Sequence, residues 1–291
     1  MSTRSLARQG FTLVELLITL IIAAIVGAAL LRMVVAQGRF MDQQEASRSA
    51  RRVSRSGINR LVSDLRAVET TWGLQAAAAG GQDFTVRVPY AFGVVCAHVG
   101  NVTTVSLLPV DPTTYNEPGF SGFAWRNANG VYSNVPGGAI GVGVPATCNN
   151  GLPDRIVTLG SLNGSPAGQV ITLVGAVLLP APPRGSLVYL YRRVRYEFKA
   201  SVAVPGQTGL WRTLVTTAAT EELAAPFAAT ARVNFFVLNN GTAQAAVPAP
   251  LTNTRGLELV LNGLSERAPS GSAVAKSSPV TTSVFFENRP D

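Results

Sequence analysis

The feature that most constrains this chain is an apolar segment near its start, from Phe11 to Leu31. Twenty-one helical residues at about 1.5 Å each span roughly 30 Å, the thickness of the hydrocarbon core of a bilayer. After Arg32 no comparable stretch recurs. The run "VITLVGAVLLPAP" from Val170 is shorter and contains prolines, which favours a buried strand. The sequence therefore predicts one membrane anchor and one domain outside the membrane.

The charge of the chain is concentrated beside this anchor. The net charge is +8, and residues 1–66 contain ten arginines against four acidic residues. Arg4 and Arg8 precede the apolar segment, which predicts a cytoplasmic N-terminus with the remainder exported. Arg32 and Arg39 on the far side of the segment reduce that asymmetry.

The basic residues also raise the question of nucleic acid. Arg48, Arg51, Arg52 and Arg55 could contact phosphates, but no aromatic residue is interleaved with them for stacking on bases. They lie close to the anchor, where arginines can meet anionic lipid headgroups instead. We do not expect nucleic acid as a partner.

Residues that catalysis or metal binding would require are scarce. His98 is the single histidine, and it lies in a predicted strand beside Cys96. The sequence contains no nucleophile elbow and no zinc-binding motif. Glu221 and Glu222 are adjacent carboxylates in "ATEELAAPF", which predicts a short, solvated helix. We expect no enzyme activity, no metal and no cofactor.

The two cysteines, Cys96 and Cys148, both lie in the exported part. In an oxidising compartment they are compatible with one disulfide, which would add about 4 kcal/mol of stability in the chain-entropy model. The alternative is two unrelated cysteines, one of them buried as a small hydrophobic residue.

From Phe11 to about Val68 the sequence contains no proline and favours one long helix. Beyond Arg39 its apolar residues recur at spacings of three and four, which predicts an amphipathic half that packs on the exported domain. The residues of this stripe are Ala46, Ala50, Val53, Gly57, Ile58, Leu61, Leu65 and Val68.

Past Ala76 the sequence changes to short β-branched and aromatic runs between turn residues. In "VRYEFKASV" apolar and charged residues alternate, which is typical of a half-buried antiparallel strand. Predicted strands begin near Phe84, Val102, Gln169, Gly185, Leu210, Ala231, Gly256 and Thr281. Residues 110–153 are expected to form loops and short strands. The predicted fold class is α+β, with the long N-terminal helix packed on an antiparallel sheet domain.

Glu15 lies inside the apolar segment, where a carboxylate costs roughly 2.5 to 3.5 kcal/mol. Two simple interpretations leave it unexplained. One is a plain signal anchor, and the other is a secretory signal cleaved near "VVA" at residues 34–36. Arg32 lies inside the region where that cleavage would occur, which argues against the second interpretation.

A third interpretation explains more residues. The stretch "RQGFTLVELLITLIIAAIVGAALLRMVV" resembles the N-terminal signal of type IV pilins and type II secretion pseudopilins. The resemblance implies that prepilin peptidase, a membrane aspartyl protease, cuts between Gly10 and Phe11 and methylates the new amino group of Phe11. It also implies that Glu15 pairs with the Phe11 amino group of a neighbouring subunit in a filament. Such pairing would offset the cost of burying the carboxylate.

The resemblance divides the chain into four parts. They are a cytoplasmic leader (1–10), a membrane-spanning half helix (11–31), an amphipathic half helix (32–70) and a β-rich pilin-like domain (71–291). It implies a bacterial inner-membrane protein with a periplasmic C-terminal domain. Its partners would be prepilin peptidase, other pilin or pseudopilin subunits and, before assembly, the membrane.

The later sequence is similar to the large minor subunits, namely the J-type pseudopilin of type II secretion and the W-type minor pilin of type IV pili. The similar segments are "INRLVSDLRAVE", "VRYEFKAS", "GLWRTLV" and "TTSVFFENR". The expected function is a minor subunit at or near the tip of a pseudopilus or pilus. The alternative is a tip adhesin or DNA-uptake pilin, which predicts an exposed aromatic or basic patch around Tyr115 to Trp125.

Overall fold

A computed structural model of the chain describes residues 12–69, 72–107, 118–127, 132–144, 148, 170–175, 181–238 and 240–286. Its first element is one helix, α1 (Leu13–Leu65), of 53 residues. Residues 13–45 of α1 are exposed on every face, and from Ala46 onward one face is buried. The helix is therefore a single element with two different surroundings.

The buried face of α1 confirms the predicted amphipathic half. Val53 and Ile58 are half-buried, and Arg48, Arg51, Arg52, Arg55 and Arg66 are exposed, as the stripe requires. Ser54, which the apolar pattern did not include, is also fully buried. The buried helix residues are Ala46, Ala50, Ser54, Gly57, Leu61 and Leu65.

Most of the remaining described residues belong to a 13-stranded antiparallel sheet. A 3-10 turn (Leu251–Asn253) precedes the twelfth strand. The strands are β1 (Leu74–Ala77), β2 (Asp83–Val99), β3 (Val102–Leu107), β4 (Phe120–Arg126), β5 (Tyr132–Pro136), β6 (Ala139–Val142), β7 (Val170–Val174), β8 (Leu187–Ala200), β9 (Thr208–Leu214), β10 (Ala219–Phe227), β11 (Arg232–Val237), β12 (Thr254–Leu264) and β13 (Ser277–Phe285).

Strand β8 lies at the centre of this sheet. One of its edges pairs with β2, while its other edge pairs first with β4 and then with β9. The main path of the sheet runs β11-β12-β10-β9-β8-β2-β3-β7-β6, with β13 beside β12 and β1 beside β2. Because β2 and β8 are long, they extend through two regions with separate hydrophobic cores.

The first region, the helix-packed core, contains Leu61 and Leu65 of α1 against β2, β8, β11 and β12. The second, the strand core, is built from sheet residues such as Phe123, Leu173 and Leu190. One face of β8 serves both, since Val188 and Leu190 lie in the strand core and Val194 and Tyr196 in the helix-packed core.

The architecture is a pilin-like α+β fold, as the sequence predicts, with the long N-terminal helix packed on a large antiparallel sheet. One element was predicted wrongly. The segment "ATEELAAPF" is not a helix but strand β10, which pairs antiparallel with β9 from Ala219 to Phe227. Its Ala, Glu and Leu residues favour helix locally, and hairpin pairing with the preceding strand β9 overrides that preference.

Candidate functional site

The candidate site begins at the first turn of α1, where Thr12 caps the helix. Its hydroxyl oxygen accepts a hydrogen bond from the Glu15 N–H at 3.3 Å, and its carbonyl accepts bonds from the Glu15 and Leu16 N–H groups. This satisfies N–H groups that a helix otherwise leaves unpaired at its start. The predicted cleavage residues Gly10 and Phe11 lie outside the described residues.

Glu15 therefore occupies the third position of the helix, with its side chain on an exposed surface. The positive end of the helix dipole favours a carboxylate there. The Glu15 carboxylate has no hydrogen bond or ion pair with any described residue. Its neighbours are apolar and outward-facing, with Leu13 at 83%, Val14 at 64% and Leu16 at 60% exposure. The carboxylate is thus available to a partner outside this chain.

The exposed half of α1 also satisfies the physical requirements for a membrane span. Within the described residues, α1 is the one helix long and apolar enough to cross a bilayer, and its apolar part lies near the N-terminus and is unburied. The two halves of α1 therefore present two kinds of surface, one exposed and apolar and one packed on the sheet.

Small residues bring the second half of α1 close to the sheet. The Gly263 N–H donates to the Ser54 hydroxyl at 2.9 Å, and that hydroxyl donates to the Ser278 carbonyl at 2.8 Å. A Cβ on Gly263 would lie 2.4 Å from the carbonyl oxygen of Ala50, which no real contact allows. Ser54 thus links α1 to strands β12 and β13 at a point where only glycine fits.

A polar cluster fixes the end of the same helix. The buried Tyr196 hydroxyl of β8 donates to Asp64, and Arg212 of β9 lies 3.4 Å from the same carboxylate oxygen. Arg212 also donates to Glu221 of β10 at 3.0 Å. Burial, and then the charge of Asp64, raises the pKa of Tyr196 well above its ordinary value. The cluster joins α1 to three strands.

The adjacent glutamates predicted on a helix turn belong to strand β10 and have structural contacts. Glu221 pairs with Arg212, as described above. Glu222 accepts hydrogen bonds from the Ser201 hydroxyl and from the Val202 and Ala203 N–H groups, which holds the loop between β8 and β9.

The structure joins the buried Cys96 and Cys148 in a disulfide, with their Cα atoms 5.0 Å apart. The bond links β2 to a residue 52 positions later in the chain. In the chain-entropy model a loop of this length corresponds to about 4 kcal/mol of stability. Cys96 and Cys148 pack together with Val170 as a small separate cluster.

His98 and the aromatic residues of β4 have ordinary packing environments. His98 is half-buried, and its Nδ1 lies 2.9 Å from the Thr103 hydroxyl on the paired strand β3. Trp125 is 2% exposed and packs with Phe123 in the strand core, so the exposed patch expected around Tyr115 to Trp125 is wrong at its described end. Tyr115 lies outside the described residues. Across the part of the chain that the structure describes, no three potential metal ligands cluster together.

Sequence reasoning missed Thr12, Ser54 and the polar cluster of Asp64, Tyr196 and Arg212. Thr12 could have been found, because Thr12 and Glu15 have the spacing of a helix-capping pair. Ser54 could not, because a serine between arginines resembles a solvated position until its partners on β12 and β13 are known.

Comparison with known proteins gives a match at the N-terminus. Residues 6–31 match the family described as the prokaryotic N-terminal methylation motif. The matched residues include Gly10, Phe11 and Glu15 and end where the predicted membrane span ends. No curated protein and no solved structure matches the chain significantly.

Proposed function

Because its N-terminal methylation motif places this chain in the type IV pilin and pseudopilin family, we propose that it is a minor subunit at or near the tip of a type II secretion pseudopilus or a type IV pilus. Members of this family are structural proteins that prepilin peptidase processes and that assemble with other pilins. The observation that carries the proposal is the matched motif on a helix whose first half is exposed and apolar.

The motif supports a specific processing event. Prepilin peptidase would remove residues 1–10 on the cytoplasmic face and methylate the amino group of Phe11. Residues 11–31 would then hold the subunit in the inner membrane, residues 32–70 would connect it to the domain, and residues 71–291 would lie in the periplasm. An exposed apolar helix continuous with a folded domain is consistent with this arrangement.

Glu15 is the residue we assign to assembly. Its carboxylate lies on the outer surface of α1 among apolar side chains and has no partner among the described residues. In a filament the methylated amino group of Phe11 on a neighbouring subunit would supply the opposite charge. Because an unpaired buried charge is costly, this pairing would favour the assembled state and fix the axial offset between subunits.

The proposed minor, J-like or W-like type rests on a structural convergence. Asp64 lies in "INRLVSDLRAVE", Tyr196 in "VRYEFKAS" and Arg212 in "GLWRTLV", and these three side chains meet in one cluster. The fourth segment, "TTSVFFENR", contributes Val284 and Phe286 to the same helix-packed core. Segments that resemble minor subunits thus form the contact between helix and sheet.

The test is mass spectrometry of the N-terminus of the protein extracted from membranes, with and without co-expressed prepilin peptidase. We expect an N-methylated Phe11 only when the peptidase is present. An N-terminus at Met1 in both samples would indicate a simple signal anchor, and one at Gln37 a secreted protein. Either result would contradict the proposal.

A further inference from the structure

Two arginines lie directly opposite each other on the face of the sheet that points away from α1. Arg87 of β2 and Arg193 of β8 are register partners, and they are called the opposed arginine pair below. Hydrogen-bonded and non-hydrogen-bonded pairs alternate along this register from the Phe198 N–H bond to the Gln82 carbonyl, which makes the opposed arginine pair a non-hydrogen-bonded one. Side chains of such pairs lie especially close together, and like charges there are destabilising.

The segment between α1 and β1 holds Arg87 in place. The Arg87 Nη1 donates to the Trp72 carbonyl at 2.9 Å, and the guanidinium carbon lies 5.9 Å from the centre of the Trp72 ring. The Arg87 Nε is buried, and no described residue accepts a hydrogen bond from it. Trp72 itself is 45% exposed. The Arg87 guanidinium is thus fixed beside an accessible indole ring.

The main chain of Arg193 is anchored on both sides, while its side chain is exposed. Its N–H donates to the Ser121 hydroxyl at 3.0 Å, and its carbonyl accepts from the Val215 N–H at 2.9 Å. The Arg193 Nε donates to the Gln75 side chain at 2.8 Å, and no described residue accepts from its two Nη groups. These two Nη groups are therefore available to a ligand.

Neither member of the opposed arginine pair forms an ion pair with a described carboxylate, in contrast to the next arginine on the same face of β8. Arg195 donates to Asp83 at 2.9 Å and lies 3.0 Å from Glu197. The buried Glu69 accepts a hydrogen bond from the Trp72 N–H at 2.8 Å. The positive charge that lacks a counter-charge on this part of the face is therefore that of the opposed pair.

The pKa of Arg87 reflects the same imbalance. Burial is the main cause that lowers this pKa. Of the two nearby residues that are charged at neutral pH, Arg193 lowers the pKa by more than Glu69 raises it. An anion placed between the two guanidinium groups would favour their charged forms. The pair is thus electrostatically incomplete in the isolated chain.

A single carboxylate fits this site better than an extended polyanion. Guanidinium groups present planar sets of N–H donors that match the two oxygens of a carboxylate. A polyanion that continued along β8 would meet Asp83 and Glu197, which would repel it. Arginine and tryptophan are also enriched among the residues that contribute most to binding at protein interfaces. The charges and residue types therefore favour an acidic side chain of a protein.

We propose that Trp72, Arg87 and Arg193 form a docking site for an acidic side chain of another protein. The partner's carboxylate would lie between the two guanidinium groups, and neighbouring apolar atoms of the partner would contact the Trp72 ring. The charge complementarity of the opposed arginine pair carries the proposal. It concerns the folded domain, so it depends neither on processing of the N-terminus nor on filament assembly.

The experiment titrates a model peptide into the full-length, nitrogen-15-labelled protein in detergent micelles. The probe is acetyl-Ala-Glu-Ala-amide, and acetyl-Ala-Gln-Ala-amide is its neutral counterpart. The NMR signal of the Trp72 indole N–H reports binding and is assigned by its loss in Trp72→Phe. Because the glutamate peptide can accept charge-assisted hydrogen bonds, we expect it to bind about tenfold more tightly than the glutamine peptide.

The test variant is Arg193→Gln, which should weaken binding of the glutamate peptide roughly tenfold. Arg60→Gln removes the same charge from an exposed position of α1 and should stay within about twofold of the original protein. Equal binding of the two peptides, or equal weakening in the two variants, would overturn the proposal. Inorganic phosphate that bound as tightly as the glutamate peptide would also overturn it, because it would indicate a general anion site.

Thermal unfolding separates a docking role of Arg193 from a structural one. Because the opposed arginines repel each other, Arg193→Gln should raise the midpoint temperature of unfolding by roughly 1 to 3 °C. Arg195→Gln should lower it, since Arg195 is paired with Asp83 and Glu197. A fall in the midpoint for Arg193→Gln as well would indicate that Arg193 serves the fold, and would contradict the proposal.

Discussion

The two halves of α1 belong to one unbroken helix, yet their surroundings are opposite. The first half, residues 13–45, is exposed on all faces, and its side chains are mostly apolar as far as Leu31. The second half buries a face of mostly small residues against the sheet, with Ala50, Ser54 and Gly57 in closest approach. The first half is therefore built to be covered by something outside this chain, and the second to hold its own domain together.

The largest expected difference between the halves comes from truncating a leucine. Leu61 is fully buried in the helix-packed core, so Leu61→Ala should lower the free energy of unfolding by about 2 to 5 kcal/mol. Leu20, 64% exposed in the first half, is the matched control, and Leu20→Ala should leave domain stability unchanged. Chemical denaturation of the full chain in detergent measures both. Equal losses would contradict the division between the halves.

Replacing one glycine in each half of α1 by alanine should change stability in opposite directions. A Cβ on Gly57 would lie 2.8 Å from the ring of Phe227, whereas one on Gly38 meets nothing within 4 Å. Gly57→Ala should destabilise the domain by about 1 to 3 kcal/mol through overpacking. Gly38→Ala should stabilise the helix by about 0.5 to 1 kcal/mol, since alanine is the better helix former. The midpoint temperature of thermal unfolding should fall for Gly57→Ala and rise for Gly38→Ala. A rise in both variants would show that helix propensity, and not packing against Phe227, determines the effect.

The smallest predicted effect depends on pH. Burial raises the pKa of Tyr196, so its protonated form is favoured in the folded state. The unfolded chain loses this proton from a pH of about 10, and the folded chain only at higher pH. The stabilisation is therefore complete below pH 10 and is lost above it, at up to about 1.4 kcal/mol per pH unit. Tyr196→Phe should flatten the fall in stability between pH 9.5 and about 11. If the free energy of unfolding of Tyr196→Phe falls with pH as steeply as that of the original chain, groups other than Tyr196 cause the loss of stability at alkaline pH.

The two halves also differ in how much of their structure the sequence could predict. The buried face of the second half repeats every three to four residues, a local pattern, and it was predicted from Ala46 to Leu65. Strand β10 depends on hairpin pairing with the preceding strand β9, and the burial of Ser54 depends on Gly263 and Ser278, which lie more than 200 residues further along the chain. The residue preferences of a single segment contain no information on its pairing partners, so they predicted a helix for β10 and left Ser54 out of the buried stripe.

The division of the sheet into two cores has the same origin. Strand β2 was predicted from its β-branched and aromatic residues and β8 also from its alternation. Neither pattern shows that one face of β8 changes its packing partner between Leu190 and Val194. For the candidate site, the sequence identified Glu15 because a carboxylate is conspicuous in an apolar run. The Thr12–Glu15 spacing also indicates the helix cap. The side chains that hold the far end of the helix come from β8 and β9 and could not be identified from the helix sequence.

The central claim is that Glu15 serves assembly and not folding. The most direct measurement is the incorporation of Glu15→Gln into filaments, by quantitative blotting of sheared filaments from cells that express the complete machinery, alongside thermal unfolding of the same variant. The account predicts unchanged unfolding and an incorporation reduced to the background of an unprocessed subunit. Normal incorporation of Glu15→Gln, or a loss accompanied by a destabilised domain, would contradict it.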